Sequence, residues 1–331
     1  MRVVRPGWWP FVAVVVACSE TQRGAPPPPV DAPEAGVPVE EVEAGARAEE
    51  DSGPSFPDID FCKNCGKAAK SGVVALSVVL EASGIVASRA HPGIFYIHND
   101  AGDSPRFFAI DATGADKGTW NVTGAKAQDW EDISLGPCEP GQPGACIFLG
   151  DIGNNGGNAK DYVIYRVAEP ETHGPGTHTT AAVAFPYRYP SAFPNSETMF
   201  VHPVTGVITI VTKVPSGPSE IFEFPMPLTP GKVATLVSVG KVQPTTGDVQ
   251  YTGGDVHPGG HGVLVRTYSH TYYFKSAPGQ SAGKSLLGAP CIVPSAGSGT
   301  EAVGWLGDGT GYIGLPEGQG STITVVKCVP P

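Results

Sequence analysis

The sequence predicts an all-β fold: a single β-propeller of five four-stranded blades, with six blades as the alternative. Three observations predict it. Aromatic and β-branched segments recur as third strands at Arg106–Asp111, Tyr162–Val167, Glu220–Phe224, Thr271–Lys275 and Ser321–Val326, roughly 50 to 58 residues apart, a period expected of propeller blades rather than helical repeats. His-Pro turns at His91, His202 and His257 each separate a first strand from a second. Beyond residue 60 no segment shows a convincing helical period, while strand-like runs bounded by Gly, Pro, Asn and Asp continue to the end.

The chain opens with Arg2 and Arg5, then an apolar run from Trp8 to Ala17. That run is too short to span a bilayer and suits a signal-peptide core. It stops at Val15-Val16-Ala17-Cys18, which resembles the bacterial lipobox; this implies lipidation of Cys18, membrane attachment and, with Ser19 following, the outer membrane. Residues 18–57 read as a tether. Pro26 to Pro29 and nine acids against two bases leave too little apolar surface to offset the entropy of ordering. Residues 58–331 form the propeller domain, ample for one core.

The whole chain carries −11. The tether contributes −7 and the signal segment +2, which leaves −6 for the domain. A modestly acidic domain offers no basic footprint for nucleic acid. With Cys18 lipidated, six cysteines remain, an even set that suggests three bridges in an oxidising compartment. Cys138 and Cys146 flank a short loop; Cys291 with Cys328 would tie the last two blades, leaving Cys62 with Cys65. The connectivity stays open.

Blade limits follow as roughly 81–128, 129–194, 195–250, 251–299 and 300–331. The last blade lacks a fourth strand, which residues 71–80 can supply, closing the ring and removing open edges. A closed ring demands no oligomer, so a monomer is expected.

Glu81-Ala-Ser-Gly84, His98-Asn-Asp-Ala-Gly-Asp103, Asp129-Trp-Glu-Asp-Ile133, Gly150-Asp-Ile-Gly-Asn-Asn155 and Val265-Arg-Thr-Tyr268 occur in one order. Together they resemble a family of secreted and lipoprotein bacterial β-propellers and, more distantly, the SdiA-regulated and phytase-like propellers. The resemblance implies a propeller and names no reaction.

First strands line a propeller's channel, and here they start at Glu81, Glu131, Glu197 and Glu301; blade four has Thr252, with Asp255 three residues later. Converging carboxylates repel unless paired, protonated or bridged by a cation. Lys213 and Arg266 are the candidate counter-ions at the ends of second strands. Calcium is the candidate ion, with Asn99, Asp100, Asp103, Asp151, Asn154 and Asn155 as loop oxygens. The alternative is that each Glu accepts backbone N–H bonds from the next blade. Asp129, Glu131 and Asp132 form the densest acidic point and the first choice for ligand contact.

Gly279-Gln-Ser-Ala-Gly283 matches a nucleophile elbow, but no helix is expected after it. His257 and His261 flank Pro-Gly-Gly, which excludes a helical zinc pair. Three functional readings follow: a membrane-anchored module binding a protein, glycan or small ligand; a calcium-dependent phosphoester hydrolase at the acidic channel; or a purely structural envelope protein.

Overall fold

The computed structural model describes residues 55–157, 162–297 and 299–331. The signal segment, Cys18 and nearly all of the tether lie outside the described residues. The chain divides into units 1–51 and 52–331, and the second is described here.

Strand β1 (Ala69–Val73) precedes the first blade. Blade one contains β2 (Ala82–Ala87), β3 (Ile94–Asn99), β4 (Arg106–Asp111) and β5 (Asp116–Thr123). Blade two has β6 (Trp130–Pro137), β7 (Ala145–Asp151) and β8 (Tyr162–Ala168); β9 (Thr177–Ala181) then crosses back before β10 (Val183–Arg188) completes it. Blade three has β11 (Ser196–Val201), β12 (Ile208–Thr212), β13 (Ser219–Glu223) and, after the short β14 (Ala234–Thr235), β15 (Val237–Val242). Blade four has β16 (Tyr251–Val256), β17 (Gly262–Thr267), β18 (Thr271–Lys275), a helix α1 (Ala282–Ser285) and β19 (Cys291–Val293). Blade five has β20 (Thr300–Trp305), β21 (Gly311–Pro316) and β22 (Thr322–Lys327).

Five sheets result, one per blade, so the six-blade alternative falls. The long 129–194 interval holds β9, which pairs parallel with β5 as a fifth strand of blade one. In the same way β14 pairs parallel with β10 on blade two. Each connector covers the outer edge of the preceding blade, which removes an open edge.

Ring closure uses β1, antiparallel to β22 with Val73 opposite Thr322. The closing strand is therefore Ala69–Val73 and not 71–80, because after Val74, whose N–H still donates to the Ser321 carbonyl, the chain turns toward blade one, where Ala75 N–H donates to the Gly114 carbonyl at 2.9 Å.

Burial explains why the blades must stack. The innermost strands β2, β11, β16 and β20 are buried along their whole length, whereas the outer β5 and β10 grade to exposed. The buried apolar side chains form five clusters, one at each interface between neighbouring blades. Trp120, Trp130 and Trp305 all lie in them, as packing residues.

The disulfides differ from the expected pairing. Cys138–Cys146 closes its local loop as anticipated, but Cys62 bonds Cys291 and Cys65 bonds Cys328. The reason is a strap: residues 56–66 run under blades four and five, and Phe61 inserts between Tyr273 and Trp305 at 5.1 and 4.7 Å. That anchor faces each cysteine of the pair toward a different blade. Phe56, assigned above to the tether, packs 5.3 Å from His257 and belongs to the domain.

The Gly279–Gly283 segment does run into a helix, the four-residue α1. Its Ser281 is the N-cap, accepting from Lys284 N–H, so the hydroxyl serves the helix. Among the described residues no helix is long and apolar enough to cross a membrane.

Candidate functional site

Each innermost strand carries a bulge at its start. The register against the second strand shifts between Ala82 and Gly84, Trp130 and Asp132, Ser196 and Thr198, Tyr251 and Gly253, and Thr300 and Ala302. A bulge re-aims one side chain per strand. The five re-aimed residues are Ser83, Glu131, Glu197, Thr252 and Glu301, and this is the ring at the mouth of the channel. Glu81 is not one of them. It is exposed and sits two residues upstream, so Ser83 takes the place in blade one, its hydroxyl donating to the Glu131 carbonyl at 2.7 Å.

The residues just past the second strands surround this ring: Asp100, Ile152, Lys213, Tyr268 and Glu317. Lys213 bonds the Glu197 carboxylate and donates to the Tyr268 hydroxyl at 2.8 Å. Against the cost of burial these two oxygens raise the lysine pKa and keep the ammonium charged. Arg266 makes no ion pair with a ring glutamate among the described residues, although the charge of Glu301 acts on it. It lies fully buried between blades four and five, donating to the carbonyls of Thr300 and Gly297 and the hydroxyls of Thr271 and Ser295. Burial lowers its pKa to about 10, still far above neutrality.

Asp132 and Asp255 leave the ligand set for a bracing role. Innermost strands have no partner on their channel side, so their N–H groups need acceptors. Asp132 supplies one carboxylate to Ile133, Met199 and Gly254 N–H at 2.9, 2.9 and 3.3 Å, spanning blades two to four. Asp255 accepts from Val256 and Trp305 N–H at 2.8 and 2.9 Å, and Ser134 accepts from Val201. The expected brace exists, but these residues form it, not the glutamates.

Glu131 is the contrast. It is 1% exposed, yet neither carboxylate oxygen has a hydrogen-bond partner among the described residues. Burial, then the charges of Glu197, Asp100 and Asp129, push its pKa well above the usual range. Its oxygens converge with those of Asp100 and Asp129, one atom from each lying within 4.8 Å of the others. Burial and the neighbouring Asp129, Glu301 and Glu81 lift Asp100 to about 6. Burial also raises Asp129. A Cβ added at Gly153 would lie 2.2 Å from Glu131 Oε1 and 2.4 Å from Asp129 Oδ2, so the missing side chain makes room for the pair.

Of the other loop oxygens, most are already engaged. Asp103 pairs with Arg106 at 2.7 Å and accepts from Asn99, whose side-chain Oδ1 accepts from Leu80 and Glu81 N–H. Asp151 Oδ1 receives Asp129 N–H at 2.8 Å and thereby positions that residue. Asn154 donates to the Phe193 carbonyl, and Asn155 accepts from Asn195. Thus the structure brings together one residue from the loop set and two from the channel set. Gly153 and the bulge at Ser83 escaped the sequence reading. The signal for the latter is present: an apolar residue or glycine stands two positions after each ring residue, which aligns Ser83 with Glu131.

Hard carboxylate oxygens in this spacing suit calcium. Two ligands each about 2.4 Å from one ion lie at most about 4.8 Å apart. His98 adds no charge, since burial lowers its pKa to about 4 and its Nδ1 bonds the Asn99 carbonyl.

No family model and no curated protein matches the chain. Among solved structures it is similar to hydrazine synthase of Kuenenia stuttgartiensis, with 10% identity, 76% of this chain and 72% of that chain covered, and a TM-score of 0.39. At that score the likeness adds nothing to the fold described above.

Proposed function

We propose that the protein is a ligand-binding module of the bacterial cell envelope, anchored by lipid on Cys18, whose channel mouth binds its ligand through calcium held by Asp100, Asp129 and Glu131. Glu131 carries this reading. A buried carboxylate without a partner costs several kcal/mol, and a divalent cation offsets that cost. Gly153 and the converging Asp100 and Asp129 support the same conclusion. Three disulfides fit an oxidising compartment, as export requires.

Charge decides the ligand class. Glu81, Asp100, Asp129, Glu131, Glu197, Glu301 and Glu317 face the mouth, and Lys213 is already engaged. One calcium leaves this mouth negative, so a phosphoester meets repulsion and the hydrolase reading loses support. A neutral, hydroxyl-rich ligand such as a glycan can complete the calcium shell. Phe193, 60% exposed on the loop bearing Asn195, offers an apolar face beside it.

Calorimetry with calcium on the purified chain tests the proposal, with Glu131→Gln as control because the acidic tether adds weak sites. One strong site that disappears in the variant is expected. Equal binding by both proteins would sink the metal reading. The address is tested by fractionation: Cys18→Ser is expected to move the protein out of the membrane fraction, and an unchanged distribution would overturn the anchor.

A further inference from the structure

The opposite end of the propeller has the reverse charge. A concavity of about 600 Å³ opens where the β2–β3 and β20–β21 turns meet β1 and β22, a size suited to one small organic molecule. Three exposed lysines line it, Lys67, Lys70 and Lys327, and Arg89 contributes to the wall. In a domain of net negative charge this is a local inversion.

None of the three lysines has a carboxylate partner within ion-pair distance among the described residues. The one acid in the lining, Asp308, is turned into its own loop, where it accepts from Thr310 N–H and hydroxyl at 2.9 and 2.8 Å. Arg89 faces inward instead: its guanidinium is buried, donates to the Leu135 carbonyl of blade two at 3.0 Å and lies in the field of Asp255 and Glu169, so the free charge of the pocket comes from the lysines. The floor is apolar: Phe95 and Leu306 are buried, and Val325 is partly so.

We propose that this pocket binds a soluble organic anion carrying a hydrocarbon chain, its carboxylate among Lys67, Lys70 and Lys327 and its chain against Phe95, Leu306 and Val325. Charge without an apolar floor would suit inorganic phosphate; the floor without charge would suit a neutral lipid. Both features occur in one cavity, which selects the amphiphile. This site is independent of the calcium mouth, which is built at the other end of the innermost strands.

The test is calorimetry of the purified chain with decanoate below its micellar concentration. One-to-one binding is expected. The double variant Lys70→Gln, Lys327→Gln removes two exposed charges that no fold contact needs, and should weaken binding about tenfold. Ala69→Trp fills the pocket from the exposed β1 without altering charge and should also weaken it. Inorganic phosphate should neither bind comparably nor displace decanoate; if it does, the hydrocarbon part of the proposal is overturned. No decanoate binding, or binding unaffected by both variants, overturns the site. Binding to anionic vesicles without binding of monomeric decanoate would show surface attraction in place of a pocket and overturn it as well.

Discussion

Glu131 and Asp132 are neighbours in sequence with opposite fates. The bulge turns Glu131 into the channel mouth without a partner, while Asp132 points along the strand edge and accepts three N–H groups. The difference predicts how pH acts. In the cation-free protein Glu131 is raised, Asp100 is raised to about 6 and Glu197 and Glu317 to about 7, all chiefly by burial. Raised acids stabilise the fold when protonated and lose that contribution as pH climbs through their folded values. Melting temperature in EDTA is therefore expected to fall between about pH 4 and pH 8, and Glu131→Gln to flatten the decline. Calcium at 100 times its Kd should raise melting by about 5 °C or more at pH 8, and less at pH 5. Gly153→Ala offers a second check at this scale. Its Cβ would displace two carboxylates, so calcium affinity should drop at least about tenfold while decanoate binding is unchanged; unchanged calcium affinity would refute the cradle.

Among elements, the strap is the part whose placement the local sequence conceals. Cys62 and Cys65 are close enough in the chain to suggest a mutual bond, yet Phe61 fixes the segment between blades and sends them to Cys291 and Cys328. These bridges span 229 and 263 residues, against 8 for Cys138–Cys146. In the chain-entropy view each long bridge contributes about 5 kcal/mol and the short one about 2.5 kcal/mol. Replacing Cys62 and Cys291 by Ser should therefore lower stability to denaturant clearly more than replacing Cys138 and Cys146. Equal losses would assign the stabilisation to packing by Phe56 and Phe61.

For the whole molecule, stability depends on closing the ring. Strand β1 completes blade five and also touches blade one, where Val73 N–H donates to the Thr113 carbonyl at 3.1 Å. A Cβ at Gly72 would fall 2.2 Å from that same carbonyl oxygen, which is backbone and cannot move aside cheaply. Gly72→Ala is expected to cost about 1–3 kcal/mol by denaturant titration and to promote self-association through the loosened β22 edge. A variant as stable and monomeric as the parent would show that closure tolerates displacement of β1.

Much of this was legible in the sequence. The third strands at Arg106–Asp111 and Thr271–Lys275 occur with the predicted bounds, and the His-Pro turns sit where expected, because strand period and turn chemistry are local. The ring was legible in four of its five members: Glu131, Glu197, Thr252 and Glu301. Glu81 misled because a bulge adds a residue to the strand count, and only the pairing partner reveals it. Arg266 misled for a related reason: it lies two residues before Tyr268, which holds the mouth position, and so stays within the strand and inside the blade interface. By itself, then, the chain determined that a propeller forms and which residue types gather at the channel, since both depend on repeats and composition; the choice of five blades over six came from the strand pairing of β9. Tertiary structure alone decided which carboxylates meet, which cysteines bond and where cations line a pocket. Those facts depend on distances between segments far apart in the chain, and no local pattern encodes them.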